Sequence, residues 1–168
     1  MTTEGAQIGE AFVGEGVNAA HLNTVLGRKG GPVETAWTTA LATPRQGHAA
    51  FVVTLRPGLA VKPLTLFVNK AEIRGDRHAT LTWGAAQAGV ARGVAECLRD
   101  GVVPAADVDD LLLIAAVWVN WEADDDELVY EWNAEATRRA LGAGAERRPA
   151  IEDVLAAAGE PWNAFFRR

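Results

Sequence analysis

The nine consecutive apolar residues from Leu111 to Val119 (LLLIAAVWV) constrain this chain more than any other stretch. A run that is apolar at every position has no polar face to offer water and belongs in the interior. It has less than half the ~20 residues that a membrane-spanning helix needs. The run is therefore predicted to be a central strand of a water-soluble protein, with no membrane partner.

The rest of the chain supplies elements to surround it. Ile8 to Val13 reads as a strand that runs into a turn at Gly14, Gly16 and Asn18, and His21 to Leu26 as a second strand ending in Gly27-Arg28-Lys29-Gly30-Gly31. Pro32 opens a short helix with Val33, Ala36, Trp37, Ala40 and Leu41 on one side. Ala50 to Leu55 and Leu64 to Ile73 are rich in Val, Phe, Thr and Ile and read as two strands. Lys70 and Glu72, two apart on the second, are expected to project from the same face. Ala85 to Leu98 has helical periodicity, with Gly89 and Gly93 four apart on one flank for close packing. Asp124, Asp125 and Asp126 precede a helix from Glu127 to Leu141, where they suit the positive end of its dipole and its free amides. A short helix near Glu152 to Ala158 leads to Trp162, Phe165 and Phe166, aromatics expected to pack on this domain or on a neighbouring subunit. No repeat or linker divides the 168 residues, and 49% apolar content is ample for one core, so residues 1–168 are expected to form a single domain.

Composition excludes some functions. With 16 basic and 22 acidic residues the net charge is −6, and no basic tract is present to displace counterions from phosphates, which argues against nucleic acid as a partner. The single Cys97 has no intrachain disulfide partner, and residues 1–16 lack the basic start and apolar run of a secretory signal, so a cytoplasmic location is expected. No phosphate-binding loop, metal-spaced Cys and His set or nucleophile elbow occurs, so no metal is expected.

Candidate chemistry is sparse. His21, between a Gly-rich turn and a strand, is the best proton-transfer group among the three histidines, though its residues alone favour a histidine satisfied by hydrogen bonds at a strand edge. Lys70 reads as a strand-edge charge, Gln87 as part of a first helical turn and Cys97 as inert packing, since nothing beside it stabilises a thiolate.

Several fragments, in order and at consistent spacing, resemble the formaldehyde-activating enzyme family. They are Ile8-Gly9-Glu10-Ala11, Gly14-Glu15-Gly16 with Ala20-His21, Pro32 to Ala36, Lys62-Pro63, Asn69-Lys70, Gly84 to Ala91, Pro104 to Leu111, Trp121-Glu122-Ala123 and Asn133 to Thr137. The resemblance is strongest over residues 8–141, and residues 142–168 form a tail that diverges. It implies an α/β (α+β) two-layer sandwich of the ribosomal protein S5 domain 2-like class, a homopentamer with ligand clefts between subunits. It also implies a hydro-lyase reaction that joins formaldehyde to tetrahydromethanopterin, or a related reduced pterin acting as co-substrate, to give the methylene derivative and water. On this resemblance His21 is the general acid, and Asn23, Val52, Lys70, Glu72 and Gln87 are substrate-binding positions. Asn23 replaces the family's usual Asp, Glu72 its Thr, Val52 its Leu, and Asn120 its His before Trp-Glu. With a carboxylate lost at position 23 and gained at position 72, Glu72 restores the negative charge that keeps His21 protonated if both positions line one cleft. The alternative is a non-catalytic sensor or carrier that binds a pterin or a formaldehyde adduct in the same intersubunit cleft.

Overall fold

The computed structural model describes residues 5–163 and Phe166; Ala164 and Phe165 of the aromatic tail lie outside the described residues. In chain order the elements are β1 (Gln7–Val13), β2 (Ala20–Arg28), α1 (Pro32–Ala42), β3 (Phe51–Val52), β4 (Thr54–Arg56), β5 (Leu59–Ala60), β6 (Leu64–Asn69), α2 (Gly75–Thr80), α3 (Gln87–Arg99), β7 (Leu111–Trp118), α4 (Asp126–Ala145) and α5 (Ile151–Ala157). The apolar run forms β7, the middle of a five-stranded sheet ordered β1-β2-β7-β6-β3, antiparallel to β2 and parallel to β6. The chain is thus a mixed α/β domain of the α+β kind.

Side-chain alternation divides this sheet into two unlike faces. On one, Leu22, Leu26, Phe67, Leu113, Ala115 and Val117 join Val90, Val94, Ala136 and Ala140 of α3 and α4 in the main core. Gly89 and Gly93 let the two helices touch: a Cβ on Gly89 would lie 2.4 Å from the Tyr130 carbonyl, and one on Gly93 2.6 Å from that of Ala134. On the other face α1 covers only one end, where Val33 and Trp37 meet Leu66 and Leu112, flanked by Val25, Val52 and Ile114. The remainder of that face, including Ile8 at 65% exposure and Phe12 at 39%, is open.

Three expectations need correction. Ala50 to Leu55 is not one strand: Phe51–Val52 joins the large sheet, whereas Thr54–Arg56 turns into a two-stranded ribbon with β5. The second strand stops at Asn69, whose buried side chain donates to the carbonyls of Gly47 and Ala71 and folds the chain out of line, so Lys70 and Glu72 are not on a strand. The third helix begins earlier than its periodicity suggests, since α2 runs through a π-helical turn, Leu81–Ala86, into α3. The aspartate reading holds in detail: Asp125 caps α4, accepting from the Leu128 amide at 3.0 Å.

Candidate active site

Cross-strand register sets the open face in rows. Phe12, His21 and Trp118 lie abreast on β1, β2 and β7; Glu10, Asn23, Ala116 and Val68 form the next row; Ile8, Val25, Ile114, Leu66 and Val52 the third. His21 and Asn23 therefore share a face because they are two apart on a regular strand, and β2 is regular because its alternate residues Leu22 and Leu26 are buried in the core.

The polar groups on this face form a connected cluster. Glu10 Oε1 lies 3.1 Å from His21 Nε2, with the His21 side chain 36% exposed and that of Glu10 59%. Lys70 Nζ donates to Asn23 Oδ1 at 2.6 Å. Phe12 leans on the imidazole, ring centroids 6.0 Å apart and tilted by 49°. Burial first, and then the neighbouring Lys70 ammonium, hold the His21 pKa below the usual 6.5, while Glu10 pulls it the other way by charge and hydrogen bond. Burial also lowers the Lys70 pKa, against the attraction of Glu10. The cluster is a proton-bearing ring between a carboxylate and an ammonium, open to solvent and backed by apolar surface.

The sequence-derived positions separate into two sets. His21, Asn23 and Lys70 belong to the open part of that face, whereas Val52, one row further along, packs against the cluster that α1 covers. Glu72 does not join them within the protomer: its side chain lies against Gly47, and its carbonyl accepts from Trp121 Nε1 at 2.9 Å. Within one protomer the negative charge at His21 comes from Glu10 and not from Glu72, because the chain leaves the strand before residue 72 and Glu10 lies at the ring nitrogen. Gln87 opens α3, in the helical layer on the opposite face, where its Oε1 accepts from the Thr54 amide at 2.6 Å. Its first-turn position is as expected; its tie to β4 was not visible in the sequence.

Glu10, the residue that sequence reasoning passed over, carried one usable signal. It alternates with Ile8 and Phe12 across a short turn from His21, so a two-strand hairpin puts all of them on one side. The other histidines are committed elsewhere: buried His78 bridges the Arg74 amide and the Val119 carbonyl, and His48 contacts the Asn69 carbonyl. Burial pushes the Cys97 thiol up to about 11, consistent with inert packing. Among the described residues no group of three or more His, Cys, Asp or Glu is arranged to hold a metal ion, and no helix is long and apolar enough to cross a membrane.

Comparison with known proteins converges on one family. The model of the formaldehyde-activating enzyme (Fae) family matches residues 8–166, a span that takes in the tail beyond residue 141. The 5,6,7,8-tetrahydromethanopterin hydro-lyase of Methanosarcina barkeri is 43% identical over 151 residues, covering 90% of this chain and 85% of that protein. The bifunctional enzymes Fae/Hps of Methanosarcina mazei and Archaeoglobus fulgidus are 36% and 32% identical over 95% and 96% of this chain, which spans only 41% of either. With the match running from β1 into the tail as far as residue 166, and through every element that carries the His21 cluster, the chain belongs to the formaldehyde-activating enzyme family.

Proposed function

We propose that this protein is a hydro-lyase that condenses formaldehyde with tetrahydromethanopterin, releasing water, and that His21 is its general acid. The observation that carries this is the His21 ring held between Glu10 and the Asn23-Lys70 pair on an open, apolar-backed face. The chemistry asks for such a ring. One pterin nitrogen adds to the aldehyde carbon to give a carbinolamine; the C–O bond then breaks with its electron pair on oxygen, and a proton from His21 makes the leaving group water. The second nitrogen closes on the iminium carbon and returns a proton to the ring. A positioned acid of this kind contributes about 10²- to 10⁴-fold, and holding both nitrogens at the carbon adds a proximity term. Burial and the neighbouring Lys70 lower the His21 pKa, which makes its imidazolium a stronger acid once formed, and the Lys70 ammonium suits a pterin carbonyl or developing negative charge.

The complete site is proposed to lie between subunits of a homopentamer, each a two-layer sandwich of the ribosomal protein S5 domain 2-like class. Gln87 and His21 stand in opposite layers of one protomer, so a pocket holding both draws Gln87 from a neighbour. The tail supports assembly too. Ile151, Val154 and Leu155 of α5 recur at helical spacing and are 67%, 52% and 68% exposed, with Trp162 and Phe166 also exposed, an apolar surface that a second subunit would cover. The lone, buried Cys97 suits a cytoplasmic setting.

The deciding experiment is stopped-flow loss of formaldehyde with reduced tetrahydromethanopterin, comparing wild type and His21→Ala. Acceleration that His21→Ala abolishes is expected. Tight pterin binding without acceleration would instead select a carrier or sensor.

A further inference from the structure

We propose that Glu10 is the positioning residue of this reaction, its carboxylate holding the His21 ring through Nε2–H so that Nδ1 carries the proton delivered to the departing hydroxyl. The proposal rests on the assignment of His21 as the acid. A carboxylate only accepts hydrogen bonds, so the 3.1 Å contact to Glu10 Oε1 commits Nε2 to bearing a hydrogen whether the ring is charged or neutral. In the imidazolium the transferable proton is then the one on Nδ1. When the carbinolamine C–O bond breaks, that proton moves to the oxygen, and the ring remains as the Nε2–H tautomer that Glu10 already favours, with no rotation needed. The lone pair left on Nδ1 is placed to take the proton that the second pterin nitrogen sheds on ring closure, which restores the imidazolium. A carboxylate that fixes tautomer and orientation of a catalytic histidine without itself taking the proton is an arrangement known from other enzymes.

The neighbourhood explains why Glu10 is free for this task. The groups facing His21 are Glu10 and Phe12 from β1, Trp118 from β7, Lys70 from the segment after β6, and Asn23 along its own strand. Lys70 is the cation that would otherwise claim Glu10, but its ammonium donates to Asn23 Oδ1. Phe12 is on the same strand as Glu10, so β1 supplies both the carboxylate at the ring nitrogen and a tilted aromatic neighbour of the imidazole. Glu10 is well exposed and takes no part in the core, so its replacement leaves the fold intact.

The test compares wild type, Glu10→Gln and Glu10→Asp by ¹⁵N NMR of the His21 side chain and by the pH profile of kcat. In wild type the neutral ring is expected as the Nε2–H tautomer. In Glu10→Gln the tautomers mix, the high-pH limb of kcat moves to lower pH, and kcat falls about tenfold, part of what a positioned acid supplies, while KM for the pterin holds. Glu10→Asp, which keeps the charge, recovers the limb. A Glu10→Gln protein with unchanged tautomer, limb and kcat would overturn the proposal. Failure of the functional assignment looks different: wild type itself would give no acceleration, whatever the tautomer.

Discussion

The Lys70 ammonium reaches across β7 to donate to Asn23 Oδ1 on β2, two strands from the end of its own. On β7 the residue in register with Asn23 is the small Ala116, which also pairs with Val68 of β6. The bridge brings a positive charge close enough to His21 to lower its pKa, and from this several outcomes follow.

Replacing Lys70 by Met removes a cation that opposes protonation of His21, so the His21 pKa rises. The acid form then persists to higher pH, and the alkaline limb of kcat moves upward, the reverse of the Glu10→Gln shift. KM for the pterin is expected to rise if Lys70 makes the substrate contact proposed for it. Steady-state pH profiles read both effects.

Glu72→Gln leaves the His21 titration where it was. The carboxylate of Glu72 lies against Gly47, and the charges acting on His21 are those of Lys70 and Glu10. A histidine NMR titration of this variant that matched wild type would bear out the geometry; a fall in the pKa would show that Glu72 of another subunit reaches the ring.

Subunits carrying His21→Ala and subunits carrying Gln87→Ala, each inactive alone, recover activity when unfolded and refolded together. Mixed assemblies contain clefts built from one intact His21 and one intact Gln87. At equal mixing about a quarter of wild-type activity is expected if each site draws one residue from each of two neighbours at random. No recovery would show that both residues act within one protomer.

Gly93→Ala lowers stability by about 1–3 kcal/mol, the usual cost of forcing an extra carbon into a filled space. The new Cβ would lie 2.6 Å from the Ala134 carbonyl and from Thr137 Cβ, so α3 and α4 must part. Gly84→Ala is the control, with nothing within 4 Å of its Cβ. Urea unfolding of both variants compares them directly.

Ending the chain after Arg148 removes α5 and the aromatic tail while sparing the sheet and its helices. The shortened protein is expected to fold, with an unchanged far-ultraviolet spectrum apart from one short helix, and to sediment as smaller species than the full chain if the proposed assembly rests on the tail. Sedimentation velocity of both proteins is the measurement; an unaltered distribution would remove the tail from the proposed interface.

Local pattern was enough to determine much of this protein. The unbroken apolar run became the central strand because no polar residue in it called for water, Asp125 became a cap because a carboxylate next to free amides has few better uses, and Gly89 and Gly93 became a helix contact because they stand on one flank. His21, Asn23 and Lys70, to which the family resemblance points, meet on one face. What tertiary structure alone decided is where the charges go. Alternation on a strand holds only while the strand lasts, and β6 ends at Asn69 because that side chain is drawn inward to two carbonyls, which sends Glu72 away from His21. The carboxylate at the ring comes instead from Glu10, by the register of two antiparallel strands, and Gln87 is set apart because its helix packs on the other face. Such placements depend on contacts between residues distant along the chain, whose energies no local pattern encodes.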